Sequence, residues 1–134
     1  MSYLPDSSRG ILPYWLLLTS AASVYNVFQS YTTTWQSKEV YAGRSAEMTP
    51  LASRIFGSWT LTAAMIRTMA AYNVSDPTAY HLVMGTYIIA AFHFGSELFV
   101  FKGVKINRAS IPVFIVATVS LVWTYNQRAY YLGL

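Results

Sequence analysis

Apolar residues fall into four long blocks along this chain, at about residues 11–31, 51–72, 79–101 and 110–131. Each block is close to 20 residues, the length an α-helix needs to cross a hydrocarbon core of about 30 Å. Four of the five prolines stand at the starts of these blocks: Pro13, Pro50, Pro77 and Pro112. Proline suits the first helical turn, where its missing N–H would go unpaired in any case. Thr49 before Pro50 and Asp76 before Pro77 are of the type that caps a helix N-terminus. No proline falls deeper inside a block, and no segment alternates with the period of a strand. The pattern predicts four helices and no sheet.

The joints between the blocks are polar. Residues 73–78 form a tight turn, so the second and third helices are expected to be antiparallel neighbours. Residues 102–109 form a short basic loop, and 32–49 the one longer connection. Aromatic residues gather near the block ends, among them Tyr14, Trp15, Tyr31, Trp35, Tyr72, Tyr80, Trp123 and Tyr130. Tyr and Trp favour the headgroup level of a membrane, where the ring is buried and its polar tip stays wet.

Composition strengthens the membrane reading. The 134 residues are 54% hydrophobic and 10% charged, with a mean hydropathy of +0.36. Soluble domains average about 25% charged residues. The expected architecture is therefore all-α: a single membrane domain over residues 1–134, a polytopic four-transmembrane-helix bundle. A soluble helical bundle is the alternative, favoured most by the second block, where Arg54 and Arg67 leave only 55–66 uncharged. Against it, the first and last blocks hold no charge before Arg128. The N-terminal "MSYLPDSSRG" lacks the basic start of a cleaved signal, so the first block is expected to be an uncleaved anchor.

There are no cysteines, which removes disulfides, cysteine-based zinc sites and thiol nucleophiles. The formal net charge is +4, thinly spread and without a basic run, so no nucleic-acid partner is expected. The charge reads as topology instead. Lys38, Arg44, Lys102, Lys105 and Arg108 fall in the first and third joints, with Arg54 close by; Arg9 and Arg128 fall on the other side, near Arg67. By the positive-inside rule, the first and third joints are cytosolic and both termini lumenal. The "NVS" sequon at Asn73 would then be lumenal, but it hugs the membrane and is expected to go unused.

Polar residues inside the blocks need partners, since a charge at mid-membrane costs about 2.5–3.5 kcal/mol on insertion scales. Arg54 lies near the start of the second helix and Glu97 near the end of the third. Antiparallel packing puts both at one level, so they are expected to pair. His93 shares a face with Glu97 at i and i+4, and Asn26 and Gln29 fall at the same level. The expected polar layer is Asn26, Gln29, Arg54, His93 and Glu97. Arg67 lies about 140° around the helix from Arg54, so the two cannot face the same neighbour. It is expected to snorkel to the headgroups or to meet His81, Tyr80 or a partner protein. Trp35, Lys38, Tyr41 and Arg44 in the long joint are candidate partner contacts.

The same residues do not make a catalytic set. His93 and Glu97 could supply two metal ligands, but a carboxylate-bridged site needs several Glu and His from different helices, and Glu39 and Glu47 lie in the long joint. No glycine-rich phosphate loop follows a strand, and no serine has a histidine and an acid at recognisable spacing. No enzyme activity, metal or cofactor is expected.

Four stretches bear a resemblance to a known family: "YWLLLTSAASVYNVFQSY" (14–31), "SRIFGSWTLTAAMIRTMAAYN" (53–73), "FHFGSELFVF" (92–101) and "LVWTYNQRAYYLG" (121–133). In order and over nearly the whole chain, they resemble the ergosterol biosynthetic protein 28 family. The resemblance implies a small non-catalytic membrane protein of the endoplasmic reticulum. It implies a scaffold for sterol C-4 demethylation, with three enzymes as partners: the sterol C-4 methyl oxidase, the C-3 sterol dehydrogenase/decarboxylase and the 3-keto sterol reductase. A sterol methyltransferase is a further implied partner, membrane lipid surrounds the chain, and self-association stays open. Two other classes remain beside the scaffold, a sterol-binding carrier and a small proton-linked transporter. A transporter usually shows internal repeats and helices broken at mid-span, and neither is visible here.

Overall fold

The computed structural model describes residues 3–134. Within them the chain is all-helical, with no strand: α1 (Leu12–Thr32), α2 (Trp35–Val40), a 3-10 helix (Ala42–Glu47), α3 (Pro50–Tyr72), α4 (Pro77–Phe99) and α5 (Ile111–Leu132). The long helices, α1, α3, α4 and α5, have 21 to 23 residues each, about 32–35 Å at 1.5 Å per residue. The third sequence block ends its helix at Phe99, two residues short of the apolar run, and the long joint holds α2 and the 3-10 helix.

Local chemistry sets the boundaries. Each long helix has proline in its first turn. Thr49 Oγ1 accepts from the Ala52 N–H at 3.1 Å, and Asp76 Oδ2 from the Ala79 N–H at 2.9 Å, so both predicted caps are in place. The α5 entry is held instead by Asn107, whose Oδ1 accepts from the backbone N–H of Ala109 and Ser110 at 2.9 and 3.0 Å. Gly133, with φ of 71°, ends α5 in the left-handed conformation that glycine adopts without strain.

The long helices form a ring in the order α1, α3, α4, α5, each packed on the next, and α5 returns to α1. The α1–α3 pairing is the closest, and it runs on small and hydroxylated residues. Ser20 Oγ donates to the Ala64 carbonyl at 2.8 Å, Ser53 Oγ to the Ser30 carbonyl at 2.8 Å, and Asn26 Nδ2 to Thr60 Oγ1 at 3.2 Å. Gly57 allows the approach: a Cβ there would stand 3.1 Å from Ser30 Cβ and the Tyr31 ring. This is the close-backbone packing that small residues permit between apolar helices.

The radial distribution of side chains is inverted relative to a soluble bundle. Thr19, Ser20, Ser23, Ser53, Arg67, Thr86, Ser120 and Thr124 are buried. Leu18, Phe28, Ile55, Met65, Ile89, Phe92, Ile115 and Val122 face outward. Two apolar clusters cap the polar interior, one around Leu16, Tyr80 and Tyr131, the other around Phe56, Phe94 and Val104. Among the described residues, every fully buried side-chain nitrogen and oxygen has a hydrogen-bond partner. By length and composition, one helix, α4, qualifies as a candidate membrane span. In the other three, the hydroxyls and amides, together with Arg54, Arg67 and Arg128, lower the hydropathy of the helix as a whole.

Candidate functional site

The interior polar site is built around Arg67, for which the sequence predicts either snorkelling to the headgroups or a meeting with His81, Tyr80 or a partner protein. It is 6% exposed. Its Nη1 donates to Ser23 Oγ on α1 at 2.8 Å, and its Nε to Thr86 Oγ1 on α4 at 3.3 Å. The guanidinium carbon lies 4.4 Å from the centre of the Tyr87 ring, a stacking that stabilises a cation by about 2 kcal/mol or more when desolvated. Both acceptors are prepared for a cation. Ser23 Oγ donates to the Thr19 carbonyl and Thr86 Oγ1 to the Val83 carbonyl, which leaves their lone pairs for the arginine. Tyr87 is held in turn by Thr19 Oγ1 at 2.7 Å from its hydroxyl.

Arg54 takes the opposite position. It is exposed, and no ion pair joins it to Glu97; the ion pair among the described residues is Arg44–Glu47, at 3.1 Å on the surface. The reason is azimuthal. At about 100° per residue, Arg54 is about 200° from Phe56, the residue α3 turns toward Phe94 of α4. Arg67 is eleven residues beyond Phe56 and returns to within about 20° of it. The inference that the two arginines face different ways holds; their roles are exchanged.

The rest of the expected layer is divided. Asn26 bonds Thr60, while Gln29 is half-buried along the cavity described below. His93 is half-buried, its Nε2 2.7 Å from the Tyr41 hydroxyl and its ring 5.2 Å from Trp59. Glu97 is half-buried beside Gly103, where an added Cβ would collide with the carboxylate. His81 accepts from Arg128 Nε at 2.8 Å, so its partner is α5 and not Arg67. Tyr80, the other proposed partner of Arg67, is buried and donates to the Thr124 carbonyl at 2.6 Å.

Of the candidate partner contacts in the long joint, Trp35 and Lys38 are exposed. Tyr41 and Arg44 reach neighbouring elements: Tyr41 reaches His93 of α4, and Arg44 Nε donates to the Phe101 carbonyl of the following loop at 3.0 Å. Burial, with Glu97 adding to it, holds the Tyr41 phenol well above its ordinary range, so it remains a neutral hydroxyl. The two loops are fastened together. The Gly43 N–H donates to the Gly103 carbonyl at 3.0 Å, and Asn107 Nδ2 to the Glu39 carbonyl at 2.7 Å. Lys38, Lys102, Lys105 and Arg108 are exposed on this joined surface.

A cavity of about 280 Å³ enters the bundle at the same end. It is lined by Phe56, Trp59, Ala63 and Phe94 of α3 and α4, by residues of α1 and α5, by the polar side chains of Asn26, Gln29, Gln36 and Thr60, and by the buried Arg67 and Ser23. Its rim is marked by the exposed residues Ala22, Tyr25, Arg108 and Pro112. Further along, α1 and α5 meet through Trp15, whose Nε1 donates to Ser120 Oγ at 2.7 Å. No group of three or more His, Cys, Asp or Glu side chains converges among the described residues.

One signal for this interior was present in the chain. Thr19, Ser23, Asn26 and Ser30 recur at spacings of four and three along α1, as do Ser53, Gly57, Thr60, Ala64, Arg67 and Ala71 along α3. Small and polar residues at that spacing mark a helix–helix seam, and Arg67 lies on it while Arg54 does not.

The family model described as "Erg28 like protein" matches residues 12–122. Among similar curated proteins, ergosterol biosynthetic protein 28 of Saccharomyces cerevisiae is 40% identical over 126 residues, covering 93% of this chain and 85% of the relative. The protein of the same name in Candida albicans is 39% identical over 132 residues, 98% of this chain and 96% of the relative. The human ergosterol biosynthetic protein 28 homolog is 31% identical over 113 residues, 84% of this chain and 81% of the relative. No solved structure matches. With the match running from the first turn of α1 into α5, and with these identities over nearly full length, the chain belongs to the Erg28-like protein family.

Proposed function

We propose that this chain is a non-catalytic scaffold of sterol biosynthesis, crossing the endoplasmic reticulum membrane with α1, α3, α4 and α5. The names of its relatives support the pathway. The observation that carries the membrane reading is the inversion of polarity: hydroxyls and a guanidinium inside, Leu, Ile, Phe and Met outside. In water such outer faces would be a large exposed apolar surface, which soluble monomers avoid. In lipid they match the solvent, and the interior hydrogen bonds become the specific contacts.

On this reading the partners are the sterol C-4 methyl oxidase, the C-3 sterol dehydrogenase/decarboxylase and the 3-keto sterol reductase, with a sterol methyltransferase beside them. Tethering raises the effective concentration of one enzyme near another, to about mM for short linkages, and requires no chemistry from the tether. The joined loop surface with Trp35, Lys38, Lys102 and Lys105 faces the cytosol and meets soluble enzyme domains, while both termini are lumenal. The outer helix faces meet membrane spans.

The test is co-purification of the tagged chain in mild detergent, followed by identification of its companions. The scaffold reading expects the C-4 demethylation enzymes together. It also expects accumulation of C-4-methylated or carboxylated sterols when the chain is deleted, with each enzyme active when assayed alone. Deletion that leaves sterol flux unchanged, or purification without any of these enzymes, would overturn it.

A further inference from the structure

We propose that the cavity beside Arg67 binds a lipid carrying a single carboxylate on an apolar skeleton. This goes beyond the scaffold reading and stands independently of it. The starting point is charge. Arg67 is 6% exposed and lies among neutral groups. Four of the five acids of the chain, Asp6, Glu39, Glu47 and Asp76, lie outside the long helices. The fifth, Glu97, is eleven residues along α4 from Thr86, about 16 Å of helix. No ion pair reaches Arg67 among the described residues.

The guanidinium also has a donor to spare. Nε and Nη1 are used, and Nη2 makes no hydrogen bond within the described residues. Every fully buried side-chain nitrogen there has a partner. Nη2 therefore borders open space, and the open space that Arg67 lines is the cavity. A buried cation with an unused N–H lining a largely apolar cavity is a receptor for one negative charge.

The chemistry of the anion follows from the walls. A carboxylate carries one charge, enough to neutralise one arginine, and it accepts a charge-assisted hydrogen bond from the free Nη2. A phosphate monoester would bring excess charge. A phosphodiester would bring a second polar substituent into a cavity whose lining is mostly apolar, with Asn26, Gln29, Gln36 and Thr60 among its few polar side chains. The remainder of the ligand must be apolar, to lie on Phe56, Trp59 and Phe94. At about 280 Å³ the cavity is at the small end of the ~300–1,000 Å³ typical of ligand sites. It holds the carboxyl end and part of the skeleton, and the rest leaves past the rim at Tyr25 and Pro112. Arg108 on that rim presents a second positive charge to an entering anion.

Two skeletons satisfy this chemistry, a fatty acid and a fused-ring sterol acid, and the experiment separates them. The full chain in detergent is photolabelled with a diazirine-bearing palmitic acid and, in parallel, with its methyl ester. Binding at Arg67 predicts saturable labelling by the acid and at least about tenfold less by the ester, a tenfold change in affinity. Val113→Trp, which adds bulk to the cavity lining from α5, should abolish the acid's labelling, and Arg67→Met should reduce it to the ester's level. Equal labelling by acid and ester, or full labelling of Val113→Trp, would overturn the proposal; both readouts hold even if Arg67→Met fails to fold. Displacement by unlabelled palmitate assigns a fatty acid, displacement by a sterol carboxylic acid assigns the fused ring, and displacement by neither overturns the site.

Discussion

Arg67 of α3 donates to Ser23 of α1 across 2.8 Å, and this bond ties the closest helix pair at the level of the bundle's buried cation. Ser23 can accept because its own proton goes to the Thr19 carbonyl one turn earlier. Thr86 repeats the arrangement from α4. One side chain thus joins three helices, and its removal is felt by all of them.

Arg67→Ala should therefore destabilise the detergent-solubilised protein by about 2–4 kcal/mol, from the lost cation–π contact and interhelical hydrogen bonds and the void left behind. Arg54→Ala, at an exposed position, should stay within about 0.5 kcal/mol of the parent. Thermal unfolding of the two variants side by side decides the matter. Equal losses would mean that the burial of Arg67 carries no energetic weight.

The α1–α3 seam makes a second contrast. Gly57→Leu forces a side chain against Ser30 and the Tyr31 ring and should cost about 1–3 kcal/mol as overpacking. Gly85→Ala meets nothing within 4 Å and replaces a flexible helical residue by the best helix former, so it should stabilise by about 0.5–1 kcal/mol. Melting temperatures that fall alike for both substitutions would contradict close packing at Gly57.

Tyr41 gives a pH dependence. Its folded-state value is raised above the ordinary 10.0 by burial first and Glu97 second. Above about pH 10 the unfolded phenol ionises while the folded one stays neutral, so the unfolded state gains and stability falls as pH rises. Below that pH the contribution is fully present. Tyr41→Phe loses the bond to His93, worth about 1 kcal/mol near neutral pH. It should also show a shallower loss of stability between pH 10 and 11 in denaturation curves. An unchanged alkaline slope would remove Tyr41 from that account.

Orientation is open to chemical labelling. Lys38 is exposed on α2, so Lys38→Cys should react with an impermeant thiol reagent added to sealed microsomes from the cytosolic side. A cysteine appended after Leu134 should react only once the vesicles are opened. Inverted reactivity would reverse the proposed orientation, and reactivity of both sites from outside would rule out a lumenal C-terminus.

Much of the helical framework was legible in the residues alone, because its causes are local. Proline in the first turn, Thr49 and Asp76 as caps, and runs of about 20 apolar residues act over one turn or along one segment. They specify helices whatever the neighbours do. Even the divergence of Arg54 from Arg67 is a matter of arc along a single helix.

Only the tertiary structure decided which of those arcs faces inward. In a helix whose outer surface is Leu, Ile and Phe, apolarity no longer marks the inside, and depth alone made Arg54 and Glu97 look like partners. Packing settled the azimuth. Gly57, Ser53 and Ala64 bring α3 against α1, and that rotation carries Arg67 into the core and leaves Arg54 exposed. The cavity exists for the same reason. It is the space left among α1, α3, α4 and α5, and no residue type encodes such a gap before four helices have chosen their faces.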